Sequence, residues 1–320
     1  MLLRPVEITK KRYFLYKHRE ENNYIITDMG HSSESEIREA LAHFRGRRIV
    51  VKYGGAAMQS SGLKRCVIKD VTHLRANGAN IVVVHGGGPE LSALQERLGI
   101  ETKFVDGLRY TDAETIDAAL MALCGKVNKD LVRMIENEGG KAIGLSGIDG
   151  GILRCRKQED PDLGFVGEIV RVKKELLHLL MMGDFIPVIS SVGIGEDGLA
   201  YNINADTAAG RIAAGLAADC FITLSDVPGV LRDVNDPASL MHEIKAGEIE
   251  GLIEEGVITD GMIPKTRGLA DSMRRGAKSV CIANGRIPHA LILALVARMA
   301  AENGRQPDLN KGVVGTTIAV

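Results

Sequence analysis

Short apolar runs alternate along this chain with stretches in which apolar residues recur at helical spacing. Ser33 and Glu36 stand at capping-box spacing, and Ile37, Leu41 and Phe44 follow at i, i+4 and i+7, predicting a short amphipathic helix that Gly46 ends. Arg48-Ile49-Val50-Val51-Lys52-Tyr53 reads as a strand, because β-branched residues dominate it and Gly54-Gly55 stop it. The same reasoning predicts strands over 79–85, 141–145, 186–190, 219–224 and 279–283. Helices are predicted over 63–76, 90–98, 112–123, 173–182, 207–217 and 244–255, and again after Lys265.

Continuous apolar strands flanked by helices indicate an α/β fold around a mostly parallel sheet buried on both faces. Ligands bind beyond the carboxyl ends of the strands in such sheets. Gly54-Gly55, Gly86-Gly87-Gly88, Ser146-Gly147 and Ser225-Asp226-Val227-Pro228-Gly229 each follow a predicted strand directly, so they are expected to converge on one edge. The expected organisation is an N-terminal extension and helix over 1–45, then one domain over 46–320. A fresh strand near Asp219, after an Ala-rich helix, divides that domain into lobes 46–218 and 219–320.

At 320 residues and 45% hydrophobic content the chain is able to bury a large core. Its 40 Lys and Arg nearly balance 41 Asp and Glu, so no global field favours nucleic acid or an anionic membrane, and any basic function is local. The cysteines are scattered with no C-x-x-C pair; a reducing, cytoplasmic setting is expected, with Cys124 and Cys281 as small core residues. The histidines never fall at H-x-x-x-H spacing, so no protein-built metal site is expected. No apolar run approaches the roughly 20 residues that span a bilayer. The N-terminal residues are rich in Lys and Arg, as in an organelle transit peptide, but Tyr13, Phe14, Tyr16 and Glu20-Glu21 suit one poorly. A family-specific extension, or a start at Met29, is the plainer expectation.

Gly86-Gly87-Gly88-Pro89 follows the run Ile81-Val82-Val83-Val84-His85 and precedes a helical pattern, with Pro89 near the first helical position. A strand-to-helix turn does not need three glycines; together they let a ligand oxygen approach the backbone N–H groups at the helix N-terminus. Leu91 stands where a dinucleotide fingerprint needs its third glycine, and no P-loop motif occurs. Lys52, just before Gly54-Gly55, is placed to direct a compact positive charge at a phosphate resting on the glycine N–H groups, although a lysine ending a strand is ordinarily only solvated. Lys265, after Pro264 at a predicted helix start, either adds its charge to the helix dipole or lies exposed on a polar face. Asn202, Asn204 and Asp206 share a side only in an extended segment. Asp206 suits an N-cap, or a carboxylate that orients two lysines. Arg109, in the loop Asp106-Gly107-Leu108-Arg109, is either matched to a carboxylate or an ordinary surface arginine.

This set is suited to phosphoryl transfer. A carboxylate acceptor, with a pKa of about 4, is already ionised at pH 7 and needs no general base. No obvious catalytic histidine or nucleophilic Ser or Cys motif is present. The obstacle is repulsion between the carboxylate and ATP, which calls for lysines, backbone N–H donors and Mg²⁺ along the line of transfer.

Val51-Lys52-Tyr53-Gly54-Gly55, Val84-His85-Gly86-Gly87-Gly88-Pro89, Gly125-Lys126-Val127-Asn128-Lys129, Gly144-Leu145-Ser146-Gly147, Tyr201-Asn202-Ile203-Asn204-Ala205-Asp206, Ser225-Asp226-Val227-Pro228-Gly229 and Gly261-Met262-Ile263-Pro264-Lys265, taken in order, resemble the acetylglutamate kinases of the amino-acid kinase superfamily. The resemblance spans the chain from about Ile37 to Val320. It implies an open αβα sandwich with an acyl-amino-acid lobe and an ATP lobe. The implied reaction uses N-acetylglutamate, ATP and Mg²⁺ to form N-acetylglutamyl 5-phosphate in arginine biosynthesis. By the same resemblance Lys52 and Lys265 stabilise the transferring phosphoryl group, Asp206 holds them in place, and Gly55 and Gly88 offer it backbone N–H groups. Gly87, Gly88, Arg109 and Asn202 hold the acyl amino acid, with Arg109 on its α-carboxylate. Ser225, Asp226, Gly229, Ile258 and Thr259 line the nucleotide site. A homodimer or hexamer is implied, with no nucleic acid or membrane partner.

The chain departs from the family's pattern in places. Ala57 stands where many relatives carry Asn, and Ile148 replaces a frequent Lys. Ala294 occupies the position of a Glu in arginine-inhibited members, and 299–311 reads as an insertion, so an arginine guanidinium loses a carboxylate partner. Two alternatives stand beside the main reading: a kinase for another acidic acyl amino acid, such as an aminoadipate derivative, and a non-catalytic ligand-sensing paralogue. Retention of Lys52, Asp206 and Lys265 together speaks against the second.

Overall fold

The computed structural model describes residues 34–55, 58, 60–105, 107–305 and 315–319. Expectations that fall on residues 1–33, Ala57 and 306–314 lie outside these residues. In chain order the elements begin with α1 (Glu34–His43), β1 (Arg48–Tyr53), α2 (Ser61–Ala76), β2 (Asn80–His85), α3 (Gly88–Leu98), the hairpin of β3 (Phe104–Val105) and β4 (Leu108–Arg109), and α4 (Ala113–Ala119). A π-helical stretch (Leu120–Val127) joins α4 to α5 (Asn128–Asn137). There follow β5 (Ala142–Ser146), β6 (Leu153–Lys157), β7 (Gly167–Val172), α6 (Glu175–Met182), β8 (Ile186–Ser190), β9 (Val192–Gly195), β10 (Ala200–Asn202) and α7 (Ala205–Gly215). The remainder comprises β11 (Cys220–Ser225), β12 (Glu243–Lys245), α8 (Ile249–Glu254), α9 (Met262–Arg274), β13 (Val280–Asn284), α10 (Ala290–Glu302) and β14 (Gly315–Ala319).

Eight strands form the central sheet in the order β12-β14-β13-β11-β1-β2-β8-β5, parallel except where β13 meets β14. Successive side chains on a strand point to opposite faces, and here both faces are covered. Ile49, Val51, Ile81 and Val83 pack with Leu74 of α2, Ile135 of α5 and Leu295 of α10. Val50, Val82 and Val84 pack on the other side with Ile212 of α7 and Met273 of α9. Burial on both faces is why these strands read as unbroken apolar runs, and it gives the expected αβα sandwich. Cys281 lies in one of these cores.

Three regions differ from the sequence expectations. A second sheet, β10-β9-β6-β7, is built of short strands such as Leu153-Arg154-Cys155-Arg156-Lys157, whose charged outward residues mask the strand signal. The helix expected over 244–255 is a strand, a turn and a shorter helix: Ile244 pairs with Ile318 of β14, a partner more than seventy residues away that local spacing does not reveal. Helix α10 had no expectation of its own. Its apolar residues run nearly all round, leaving no stripe to detect, and Ala294 is buried among them.

The motif that contains Asn128 fastens the helices to the ends of the strands. Asn128 Nδ2 donates to the carbonyls of Leu145 at 3.1 Å and Val188 at 2.9 Å, and lies 3.1 Å from His85 Nε2. His85 Nδ1 faces the Gly86 carbonyl at 2.8 Å, so Nδ1 carries the hydrogen and Nε2 is an acceptor that shares the two Asn128 amide hydrogens with the carbonyls. Burial pushes the His85 pKa down to about 4, keeping the ring neutral. Gly144 makes room for the amide, because a Cβ there would stand 2.0 Å from Asn128 Oδ1. Replacing Asn128 by Leu leaves buried acceptors unsatisfied, at about 1–3 kcal/mol for each. Urea unfolding of Asn128→Leu is therefore expected to show a loss of at least about 2 kcal/mol, with the two-state transition retained.

Candidate active site

The register of the central strands sets the site. Lys52 lies opposite Val84 of β2 and Thr223 of β11, so the segments after these parallel strands leave the sheet side by side. A cavity of ≈ 520 Å³ opens there, lined by Lys52, Gly54, Gly55, the Gly86-Gly87-Gly88 loop, Glu90, Ser92, Phe104, Arg109 and the segment from Asn202 to Asp206. Of the residues singled out from sequence, Lys52, Gly55, Gly87, Gly88, Arg109, Asn202 and Asp206 thus share one cavity.

The two glycines of the second loop differ in function. Gly87 has φ 155°, and a Cβ there would meet Leu123 Cδ2 at 2.8 Å, so the loop is packed tightly against the π-helical stretch. Gly88 meets nothing within 4 Å and faces open space. No side chain caps α3, whose N-cap is Gly87. The unpaired N–H groups of its first turn are therefore available to an anion.

Asn204 settles the ambiguity in the neighbouring segment. Its side chain accepts from the N–H groups of Asp206 at 2.9 Å and Thr207 at 3.2 Å, making Asn204 the cap of α7. Asp206 is thereby released for other partners. Its Oδ2 stands 3.2 Å from Lys52 Nζ, with the lysine side chain 12% and the carboxylate 31% exposed. Its Oδ1 accepts from the buried Thr223 hydroxyl at 3.0 Å. Lys265, in the first turn of α9, donates to Ser225 Oγ at 2.7 Å. Burial lowers the Lys265 pKa, with Asp206 opposing the shift, Lys52 adding to it and Asp226 opposing it. The two lysines and two aspartates therefore act on one another electrostatically.

At the far wall, Arg109 Nη2 donates to Ser92 Oγ at 2.8 Å and to the Gly88 carbonyl at 3.2 Å, while Nη1 donates to Gln95 Oε1. Gly88, Ser92 and Gln95 are spaced i, i+4 and i+7, so one stripe of α3 holds the guanidinium. The Phe104 ring covers its face, with Cζ 4.8 Å from the ring centroid. Asn202 Nδ2 donates to Thr111 Oγ1 at 3.2 Å, and Thr111 donates in turn to the Arg109 carbonyl at 3.1 Å. Glu90 Oε2 is buried without a hydrogen-bond partner among the described residues.

Other candidates lie outside the cavity. Asp226 adjoins it: a Cβ on Gly55, which has φ 63°, would stand 2.2 Å from Asp226 Oδ1. Gly229 packs against Thr316 and Leu240, Ile258 is buried in the core, and Thr259 is exposed, its carbonyl accepting from Met262 N. Ser146-Gly147 does not join the convergence. The backbone and hydroxyl of Ser146 both donate to Asp149, at 2.6 and 2.8 Å, and the loop leads into the second sheet. Cys124 is partly buried and accepts from the Ser190 hydroxyl at 3.1 Å. No group of three or more His, Cys, Asp or Glu suited to a metal ion occurs among the described residues. Thr223, Ser92 and Gln95 escaped the sequence reading. A lone hydroxyl inside Phe221-Ile222-Thr223-Leu224 and a polar stripe on α3 were the available signals.

The profile of the Amino acid kinase family matches residues 47–284. The acetylglutamate kinase of Clostridioides difficile is 49% identical over 260 residues, covering 80% of this chain and 91% of that protein. Among solved structures, N-acetylglutamate synthase from Neisseria gonorrhoeae complexed with coenzyme A and N-acetyl-glutamate matches with a TM-score of 0.73 at 21% identity, over 89% of this chain and 62% of that one. Carbamate kinase from Giardia lamblia bound to AMP-PNP matches with a TM-score of 0.60 at 16% identity, over 86% of this chain and 98% of that one. These two likenesses are of fold alone.

The contrast between the two loop glycines is testable. Gly87→Ala combines backbone strain with a clash and is expected to cost about 1–3 kcal/mol in thermal or urea unfolding. Gly88→Ala is expected to unfold like the parent, while its methyl projects into the cavity and weakens the binding of an anionic ligand there by about tenfold in calorimetry.

Proposed function

The chain belongs to the amino acid kinase family, and we propose that it transfers the γ-phosphoryl group of ATP to the side-chain carboxylate of N-acetyl-L-glutamate, forming N-acetyl-L-glutamyl 5-phosphate for arginine biosynthesis. The observation that carries this reading is the Lys52–Asp206 pair, 3.2 Å apart, set beside two glycine loops in a chain of this family.

The acceptor carboxylate is ionised at neutral pH, so the protein has no proton to remove. Its task is to bring two anions together and to stabilise charge on the transferring group. On this reading Arg109 and Asn202 hold the acyl amino acid by its α-carboxylate end, and Gly87 and Gly88 shape the loop above it. Lys52 and Lys265 meet the transferring phosphoryl group, Gly55 and Gly88 direct N–H groups toward it, and Asp206 keeps the two ammonium groups in register. Ser225, Asp226, Gly229, Ile258 and Thr259 belong to the ATP side, so that 46–218 form the acyl-amino-acid lobe and 219–320 the ATP lobe. Mg²⁺ would accompany ATP and would offset the charge of its phosphates; no group of three or more His, Cys, Asp or Glu suited to hold it by itself occurs among the described residues. The reading extends to a cytoplasmic homodimer or hexamer. No helix among the described residues is long and apolar enough to cross a membrane.

Trapping the acyl phosphate as a hydroxamate tests the reaction directly. Lys52→Ala and Lys265→Ala are expected to lower kcat by about a hundredfold or more; undiminished turnover in both would overturn the assigned mechanism. Faster turnover on an aminoadipate derivative would instead move the substrate assignment. The lowered pKa of Lys265 adds a pH test. A lysine loses its charge as pH rises, so kcat/KM for ATP should fall on the alkaline side at a pH below the ordinary lysine value of about 10.4. Lys265→Arg keeps its charge throughout and is expected to lose that alkaline limb.

A further inference from the structure

Gln95 is fully buried, 0% exposed, and its amide is engaged at both ends. Oε1 accepts from Arg109 Nη1 and from Thr102 Oγ1, the latter at 3.1 Å. Nε2 donates to Thr115 Oγ1 at 3.1 Å. An arginine cannot accept, so a flipped amide would set NH₂ against guanidinium; the network admits one orientation.

The consequence lies in which N–H groups of Arg109 stay available. A guanidinium binds a carboxylate bidentately along one of two edges, Nε with Nη2 or Nη1 with Nη2. Gln95 occupies a hydrogen of Nη1. Both hydrogens of Nη2 are taken by neutral acceptors, Ser92 Oγ and the Gly88 carbonyl. The phenyl ring of Phe104 blocks one face. The edge formed by Nε and Nη2 does not involve Nη1, so it is able to open whichever hydrogen of Nη1 Gln95 holds. A carboxylate there displaces one neutral acceptor of Nη2, and the Ser92 hydroxyl is able to rotate away.

We propose that Gln95 is a positioning residue: it clamps Nη1 so that Arg109 presents its Nε–Nη2 edge to the α-carboxylate of the acyl amino acid, with Ser92 as the exchangeable acceptor. This rests on the function proposed above. Gln95 itself touches no substrate.

Steady-state kinetics on the full chain test it with Gln95→Leu, Gln95→Glu, Ser92→Ala, Thr115→Val and, as a reference, Arg109→Ala. Gln95→Leu is expected to raise KM for N-acetylglutamate by about tenfold, with kcat and KM for ATP changed less than about twofold. Gln95→Glu, whose carboxylate competes for the guanidinium, should raise the same KM at least as far. Ser92→Ala, which removes one acceptor of Nη2 and leaves the clamp on Nη1, should raise the same KM less than Gln95→Leu does. Thr115→Val, which only frees the amide to rotate, should give a smaller rise and keeps the test decisive if Gln95→Leu fails to fold. For the substrate analogue whose α-carboxylate is an amide, the Gln95 variants should match the parent, a selectivity that a general packing role would not produce.

An unchanged KM in the Gln95 variants, alongside a raised KM in Arg109→Ala, overturns the proposal and leaves the functional reading standing. Equal losses on the acid and the amide analogue also overturn it. An unchanged KM in Arg109→Ala overturns the placement of the α-carboxylate, and the proposal with it.

Discussion

Asp206 is the carboxylate that pairs with Lys52, 3.2 Å away, and that opposes the lowering of the Lys265 pKa by burial, while Lys52 adds to that lowering. The carboxylate is itself held from three directions. Lys52 meets one oxygen at 3.2 Å and the Thr223 hydroxyl meets the other at 3.0 Å. The first turn of α7 adds its partial positive charge. Thr223 and Lys52 lie side by side in the register of β11 and β1, so the sheet fixes the spacing between the lysine and the hydroxyl that steadies its partner. Because Asn204 caps α7, Asp206 need not serve the helix backbone and both of its oxygens face other groups.

The helix termini at the cavity are treated differently as a result. Those of α7 are served by Asn204, whereas α3 begins at a glycine with no side-chain cap. An anion at the second terminus therefore completes a helix cap as well as an ion pair. Gly87 makes this possible by packing against Leu123, which turns the chain sharply enough to point the first turn of α3 at the cavity. The π-helical stretch beneath runs into Asn128, which donates to the carbonyls of Leu145 in β5 and Val188 in β8. The loop is thus supported by the sheet.

Sequence made much of this legible, and the boundary is physical. The central strands were readable because burial on both faces imposes an unbroken apolar run: the expected strand over 186–190 is the observed Ile186–Ser190. Lys52, Asp206 and the glycine loops were readable because each lies where a strand gives way to a helix. Whatever depends on a partner distant in sequence was not. Ile244 becomes a strand because Ile318 lies beside it. Asn204 and Asp206 offered the same chemistry, and only the path of α7 divides capping from charge pairing. Gln95 carries no mark of its own, since its role is set by Arg109 and Thr115 arriving from other elements.

The two ends of the cavity manage positive charge in opposite ways. Lys52 is balanced by a carboxylate, whereas among the described residues Arg109 donates to neutral acceptors on Ser92, Gln95 and Gly88 and meets an aromatic face. A guanidinium held by neutral groups keeps its attraction for an anion while its direction is fixed. On the proposed function this would suit the end of the substrate that does not react, where constant binding lowers KM without raising kcat. At the reacting end, only attraction that is stronger in the transition state than for bound phosphate speeds the chemistry. On the proposed function, Asp206 would hold the Lys52 ammonium in place for that role. On the proposed function, the ion pair at one end and the neutral cradle at the other would be the electrostatic counterparts of a reacting and a non-reacting carboxylate.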